Sequence, residues 1–215
     1  FEIKQENPGK HTVLDADLLE YISSAGLHIL AMVFMLLDHL WATVVPGNFW
    51  MTCVGRLAFP IFAFQIAEGF VHTSSFKKYA LRLLIFALIS EIPFNLMCSG
   101  KLFTSTNQNV FFTLFLGALS IYFSENTKNR LLNALLMLAI LVVSIHLKAD
   151  YGPAGVVVIL LIYILKDRPI VQALAGYPLF SGGIWATAAF IPINLYNGQR
   201  GFIKSRVLQY AFYLF

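Results

Sequence analysis

Charge is what this sequence has least of. Asp, Glu, Lys and Arg make up 12% of its 215 residues, against about 25% in a soluble globular domain. With 58% hydrophobic residues, there is too little polar side chain to wet the outside of a soluble fold. Two cysteines, Cys53 and Cys98, exclude a disulfide framework, and no Cys/His cluster with metal-ligand spacing accompanies them. The chain also lacks a phosphate-cradling glycine loop, a serine nucleophile elbow and a dinucleotide fingerprint. It contains no repeat and no low-complexity tract. A net charge of +4, spread over short loops, leaves no footprint for nucleic acid. The first 20 residues carry Glu2, Glu6, Asp15, Asp17 and Glu20, which is the wrong chemistry for a secretory signal.

What is present is a succession of apolar runs, and it predicts an all-α polytopic membrane protein. Residues 1–26 form a polar N-terminal segment in which Asp15–Ile22 could lie as a short helix on the membrane surface. Residues 27–215 form one transmembrane domain, expected to hold about eight helices. The spans are expected at Leu27–Val45, Val54–Val71, Tyr79–Cys98, Val110–Phe123, Leu131–Leu147, Pro153–Leu165 and Ile170–Tyr196, with an eighth starting near Val207. A full crossing takes about 20 apolar residues, so the fourth and sixth runs are short. The seventh is interrupted at Tyr177-Pro178 and at Ser181-Gly182-Gly183, and is expected to be one kinked helix or two half-helices. Because the sequence opens on Phe1 and closes within an apolar run, it is expected to be the ordered part of a longer protein, truncated at its C-terminus.

Loop charge sets the orientation. With the N-terminus on side A, that side receives Lys77, Lys78, Arg82, Lys128, Arg130, Lys166 and Arg168. Side B receives Lys101, Lys148, Arg200, Lys204 and Arg206. The bias puts side A in the cytoplasm, with the last side B loop standing against it.

Several polar residues fall where a bilayer should not tolerate them. Asp38 and His39 lie inside the first run, where a lone carboxylate costs about 2.5–3.5 kcal/mol on insertion scales. Arg56 opens the second run, Glu91 and Asn95 close the third, Asn107 and Asn109 precede the fourth, and Asp150-Tyr151 separates the fifth from the sixth. Asn194, Tyr196, Asn197, Gln199 and Arg200 follow the seventh. Counted by alternating spans, all of these face side B and predict a polar basin there. Asp38 is expected to pair with Arg56 across the short Pro46–Cys53 turn. That leaves Glu91 as the candidate to orient His39, whose ordinary pKa suits proton transfer near neutrality. Helix packing through ion pairs is the alternative. On side A, Gln65, Glu68 and His72 share a helix face. Glu68 is expected either to pair with Arg82 or to line a polar approach for a cytoplasmic ligand. His28 is expected to be an interface residue.

These stretches resemble the TraX family. Leu27–His39 resembles its first-helix signature, and Gly55-Arg-Leu-Ala-Phe-Pro-Ile-Phe-Ala-Phe64 with Glu68-Gly69 its second. Tyr79–Leu84, Ser90–Asn95, Asn107-Gln-Asn109, Asp150-Tyr-Gly152 and Tyr196–Gly201 follow in family order, so the resemblance covers about Ser24 to Phe215. The pattern departs at His28, where Lys is expected, and a further Tyr-Pro-x-His segment would fall after Phe215 and is the other candidate for the base.

The resemblance implies a bacterial inner-membrane acetyltransferase that draws on acetyl-CoA and modifies pilin or another envelope acceptor, protein or glycan. It implies His39 as general base, with Asp38, Arg56 and Glu91 setting its charge state and holding substrate. Asp150, Tyr151 and Arg200 would join the substrate site. Asn95, Asn109 and Asn194 would donate to the developing oxyanion. Lys78 and Arg82, with Glu68 beside them, would meet the acetyl-CoA phosphates. Two other readings stay open: an ion-coupled carrier using Asp38 and Glu91, and a non-enzymatic envelope assembly protein.

Overall fold

A computed structural model of the chain describes residues 22–104, 106–180, 183–199 and 201. Regular structure among them is helical. The first helix, α1 (Ser24–Thr43), starts where Ser23 caps it, the hydroxyl oxygen accepting from the Gly26 N–H at 3.3 Å. Such a cap contributes about 1 kcal/mol. The chain turns at Gly47 (φ 108°) into α2 (Phe49–Gly55) and α3 (Ala58–His72). Next come α4 (Phe76–Ser99), α5 (Val110–Asn126), α6 (Arg130–His146) and α7 (Gly152–Ile164). Asn109 and Asn129 cap α5 and α6 with their side chains. Three short helices complete the described chain: α8 (Pro169–Gly176), α9 (Ile184–Thr187) and α10 (Phe190–Asn194), with a 3-10 turn at Tyr177–Leu179.

Three stretches are long and apolar enough to cross a membrane: α1, the α2–α3 pair (Phe49–His72) and α4. The helices α5, α6 and α7 are apolar but shorter, at 17, 17 and 13 residues. At the centre lies α3, whose Phe59, Ile61, Ala63 and Ile66 are buried against α1, α5 and α7. The helices α5 and α7 approach closely at Gly117, where any Cβ would collide with Ile159. By contrast, α4 and α6 present rows of exposed leucine and isoleucine, among them Leu81, Leu88, Ile89, Leu131, Leu135 and Leu138. Together these rows form a broad outward apolar surface of the bundle.

Two expectations need correction. The second apolar run is not one helix, and Pro46–Cys53 is not all turn. Helix begins at Phe49 and breaks at Arg56-Leu57. The cause is Pro60, which has no N–H for the Arg56 carbonyl four residues back and whose ring crowds that carbonyl.

The seventh run does not cross to side B. It leaves α7 on side A, where Tyr163 meets Phe70 edge to face at 5.5 Å, and it comes back to side A. There the Ile22 N–H donates to the Leu195 carbonyl at 2.9 Å and the Asn197 N–H to the Ile22 carbonyl at 3.0 Å. The Tyr196 hydroxyl donates to Glu68 at 3.2 Å. Between these points α9 reaches α2 and α3. The interruptions permit a re-entrant path: three short helices with a 3-10 turn, and Gly183 at φ 53°. The loop opening at Tyr196 thus starts on the side of Lys77, Arg130 and Arg168. The interfacial stretch expected at Asp15–Ile22 lies outside the described residues except for Ile22, and so does the eighth run.

Candidate functional site

The break at Arg56 makes the site. Because the helix stops there, the guanidinium stands at a joint between two helices instead of on a helix flank. The Asp38 carboxylate reaches it from α1, with Oδ1 4.0 Å from Arg56 Nε. The same oxygen accepts the Thr52 hydroxyl at 2.7 Å. Thr52 sits one turn before Arg56, on the same face, so α2 presents both partners of Asp38 together. Gly55 allows the approach: a Cβ there would lie 2.5 Å from the Asp38 Cβ and 2.9 Å from its Cα.

The turn between α6 and α7 brings the second half of the cluster. Asp150 lies within electrostatic reach of Arg56 and Asp38, and Arg56 hydrogen-bonds the Tyr151 side chain. The Tyr151 ring stacks on Phe59 at 3.7 Å and 9°. This turn is strained, with Lys148 at φ 51° and Tyr151 at φ 44° in the left-handed region, which costs on the order of 1–3 kcal/mol per residue. It is held from outside. The Gln108 N–H donates to the Lys148 carbonyl and the Asp150 N–H to the Gln108 carbonyl, both at 3.0 Å. Strain kept in place this way is typical of sites that must present one side chain in one direction.

Asp150 is open at the surface but crowded by protein on its other sides. Burial pushes its carboxyl up to about 6, with Arg56 opposing and Asp38 adding to the rise. Burial, and then Asp150, likewise push the Tyr151 phenol above its ordinary range. The cluster therefore holds its tyrosine neutral as a donor, beside a carboxyl that titrates near neutrality.

A second polar group lies at the same end. Glu91 Oε2 accepts from Asn109 Nδ2 at 2.6 Å and from the Asn109 backbone N–H at 3.2 Å. Asn109 Nδ2 also donates to the Ala87 carbonyl at 2.8 Å, and Asn95 Nδ2 to the Leu102 carbonyl at 3.4 Å. Cys98 is within electrostatic range of both Asp150 and Glu91, so the two groups border one basin.

The expected partnerships change accordingly. Glu91 is tied to Asn109, not to His39, because α4 packs on α5. His39 is half-buried, and its ring has no hydrogen bond among the described residues. The amide donors of Asn95 and Asn109 are already committed, and Asn194 is exposed at the side A end, so these three do not assemble around one oxyanion. Arg200 lies outside the described residues.

On side A, Glu68 takes the Tyr196 hydroxyl at 3.2 Å and His72 at 2.9 Å, not Arg82. Burial and Glu68 push the Tyr196 phenol up to about 12, consistent with its donor role. Lys78 is exposed and Arg82 half-buried one turn further along α4. Their spacing suits a phosphate, whereas Glu68 with its two donors does not. His28 pairs with Gln65 at 3.0 Å, and Gln65 with the Ser24 carbonyl at 3.0 Å, so His28 is a packing residue rather than a surface one. Thr52 and Phe59 were not singled out in the sequence, although the Thr52–Arg56 spacing was the available signal.

Residues 23–215 match the family model described as TraX protein. A probable fimbrial assembly protein FimC, serogroup H1, of Dichelobacter nodosus is 28% identical over 227 residues, covering 90% of this chain and 91% of that protein. An uncharacterized protein, RP591, of Rickettsia prowazekii (strain Madrid E) is 25% identical over 178 residues, covering 80% of this chain and 68% of that one. No solved structure matches.

Proposed function

Because the chain belongs to the TraX family, we propose that it is a polytopic inner-membrane protein of pilus or fimbrial assembly. In this reading it moves an acetyl group from acetyl-CoA to an amine or hydroxyl of an envelope acceptor. The observation that carries the proposal is the gathering of Asp38, Arg56, Asp150 and Tyr151 from three separate segments at one end of an otherwise apolar bundle. Intramembrane ionisable groups cost too much to keep without a use. The membrane setting is supported by α1, α2–α3 and α4, and the assembly role by the name of the Dichelobacter relative. The reading takes six crossings and a re-entrant α8–α10 hairpin, with side A cytoplasmic by its lysines and arginines.

In this mechanism His39 accepts the proton of the acceptor N–H or O–H as that atom attacks the acetyl carbonyl carbon. The C–S bond breaks, and His39 returns the proton to the departing thiolate. Arg56, held between Asp38 and Tyr151, and the neutral Tyr151 phenol are the donors suited to the developing oxyanion, in place of the three asparagines. Asp38 and Thr52 hold Arg56 in line, and Asp150 sets the local charge. Lys78 and Arg82 would meet the phosphates from side A.

The test is co-expression with a candidate acceptor and intact mass measurement. His39→Ala should leave the protein in the membrane and the acceptor without its acetyl group. Full acetylation in that variant would overturn the assignment. The re-entrant hairpin favours one other reading, a carrier, since broken helices often build transport sites. Substrate flux in proteoliposomes without acetyl-CoA would select it.

A further inference from the structure

Two oxygen atoms bordering the basin have no donor. Glu91 Oε1 and Asn95 Oδ1 are buried and unbonded, and Asn95 as a whole is 1% exposed. Four residues apart on α4, they share a face, with Cβ atoms about 5–6 Å apart. Neither can be relieved by rotation. Glu91 already uses its other oxygen for two bonds from Asn109. Asn95 has its amide nitrogen fixed on the Leu102 carbonyl, which turns its oxygen the other way. Arg56, the basin's guanidinium, is engaged with Asp38 and Tyr151.

Two acceptors without a donor call for a ligand that brings positive charge and no lone pair. One carboxylate neutralises one charge, and the described residues hold no cluster of three metal-ligating side chains, so a single charge fits better than a divalent ion. A bare ion or an ammonium can meet both oxygens directly, whereas a quaternary amine has no N–H to donate and keeps its charge behind methyl groups.

We infer that Glu91 and Asn95 form a subsite for a compact monovalent cation, either an alkali ion or the ammonium of a primary amine. The subsite stands whether the protein transfers acetyl groups or carries a solute, because it needs neither. It also changes what Asn95 does: its oxygen, not its amide, faces the ligand.

The experiment is thermal unfolding of the purified protein in detergent. Choline chloride is exchanged at constant ionic strength for sodium, potassium or methylammonium chloride. A saturable rise in Tm is expected, about 3–6 °C at roughly ten times the midpoint concentration. A response to methylammonium alone identifies an ammonium site, and a response to sodium or potassium identifies an ion site. Glu91→Gln should fold and lose the response. Its amide oxygen can keep the Asn109 bonds while its N–H turns toward Asn95, so its Tm in choline should equal or exceed that of the wild type. Asn95→Asp, which adds a charge to the subsite, should lower the midpoint concentration. The same Tm in all four salts would overturn the inference and assign both oxygens to water. So would a wild-type response retained in Glu91→Gln, or an unchanged midpoint in Asn95→Asp.

Discussion

Removing Arg56 should cost more than removing the carboxylate it pairs with, and removing both should cost less than the sum. Arg56→Gln leaves Asp38 and Asp150 facing each other without the guanidinium between them. At 4.0 Å and an effective dielectric near 20, the Asp38–Arg56 attraction is about 4 kcal/mol gross. Side-chain exposures of 36% for Arg56 and 25% for Asp38 discount that figure, because solvent screens part of it and releases less desolvation cost. A net loss of about 1–2 kcal/mol is expected. In a protein of this size that corresponds to a Tm lower by roughly 2–8 °C. Asp38→Asn keeps an acceptor for Thr52 and leaves Arg56 with Asp150, so it should lose less. In Asp38→Asn/Arg56→Gln one unpaired carboxylate is gone, and the combined loss should fall short of the sum by about 1 kcal/mol or more. The assay is the temperature at which each detergent-solubilised variant leaves its monodisperse elution peak. Additive losses, or an Arg56→Gln variant as stable as the wild type, would refute the claim that this guanidinium holds the basin together.

Gly55→Ala places a Cβ 2.5 Å from that of Asp38 and 2.9 Å from its backbone. It should force α1 and α2 apart and, on the proposed activity, reduce acetyl transfer at least about tenfold, while Val44→Ala, exposed just past the end of α1, leaves it unchanged; equal activities would count against the packing argument. A cysteine at Asn197, in a background lacking Cys53 and Cys98, should react with a membrane-impermeant maleimide from the side that labels Lys78→Cys, and Lys101→Cys from the other. Labelling of Asn197→Cys from the Lys101 side would mean that the seventh run crosses. Asp150 titrates with its folded-state carboxyl raised to about 6 from an ordinary 3.8. The folded state therefore binds the proton more tightly, and Asp150's contribution to stability is greatest below about 4, declines as pH rises through about 6, and is flat above. Asp150→Asn should remove that slope from the pH profile of Tm, and an unchanged profile would show that the slope arises elsewhere.

The apolar runs disclosed most helix positions because caps and turns punctuate them. Ser23, Asn109, Asn129 and Gly100 sit at or beside the boundaries that hydropathy alone would leave soft. The Asp38–Arg56 pair was legible for a related reason: both charges stand inside apolar runs joined by a short turn, so each could meet the other at low chain cost. The break at Arg56 was written in the sequence too, as Pro60 four residues on, but a hydropathy window averages over it. The Glu91–His39 partnership failed because helix adjacency is not fixed by order. The fourth helix packs on α5, and its carboxylate went to the asparagine that caps that helix.

The re-entrant hairpin was the least legible element, and one error there carried into the site. Counting spans assumes that each apolar run crosses, so a run of sufficient total length is assigned a crossing whatever its internal breaks. Here the run is divided into helices of eight, four and five residues, with Pro178 and Gly183 between the first two and Pro192 four residues past the second break, and none of them spans alone. With that run taken as a crossing, Asn194 was counted into a basin at the opposite end of the molecule. With it turned back, Tyr196 closes on Glu68 at side A and the side B cluster draws on α1, the α2–α3 joint, α4, the start of α5 and the α6–α7 turn. The polar residues of the chain thus separate into two ends with different chemistry. Glu68, His72 and Tyr196 satisfy one another on side A. On side B the Arg56 guanidinium serves both Asp38 and Asp150, Glu91 is held by Asn109, and Glu91 Oε1 and Asn95 Oδ1 are left over on one helix face. A bundle that needed polar groups only for packing would resemble the first end. The excess of acceptors at the second is what makes it the place to look for a ligand.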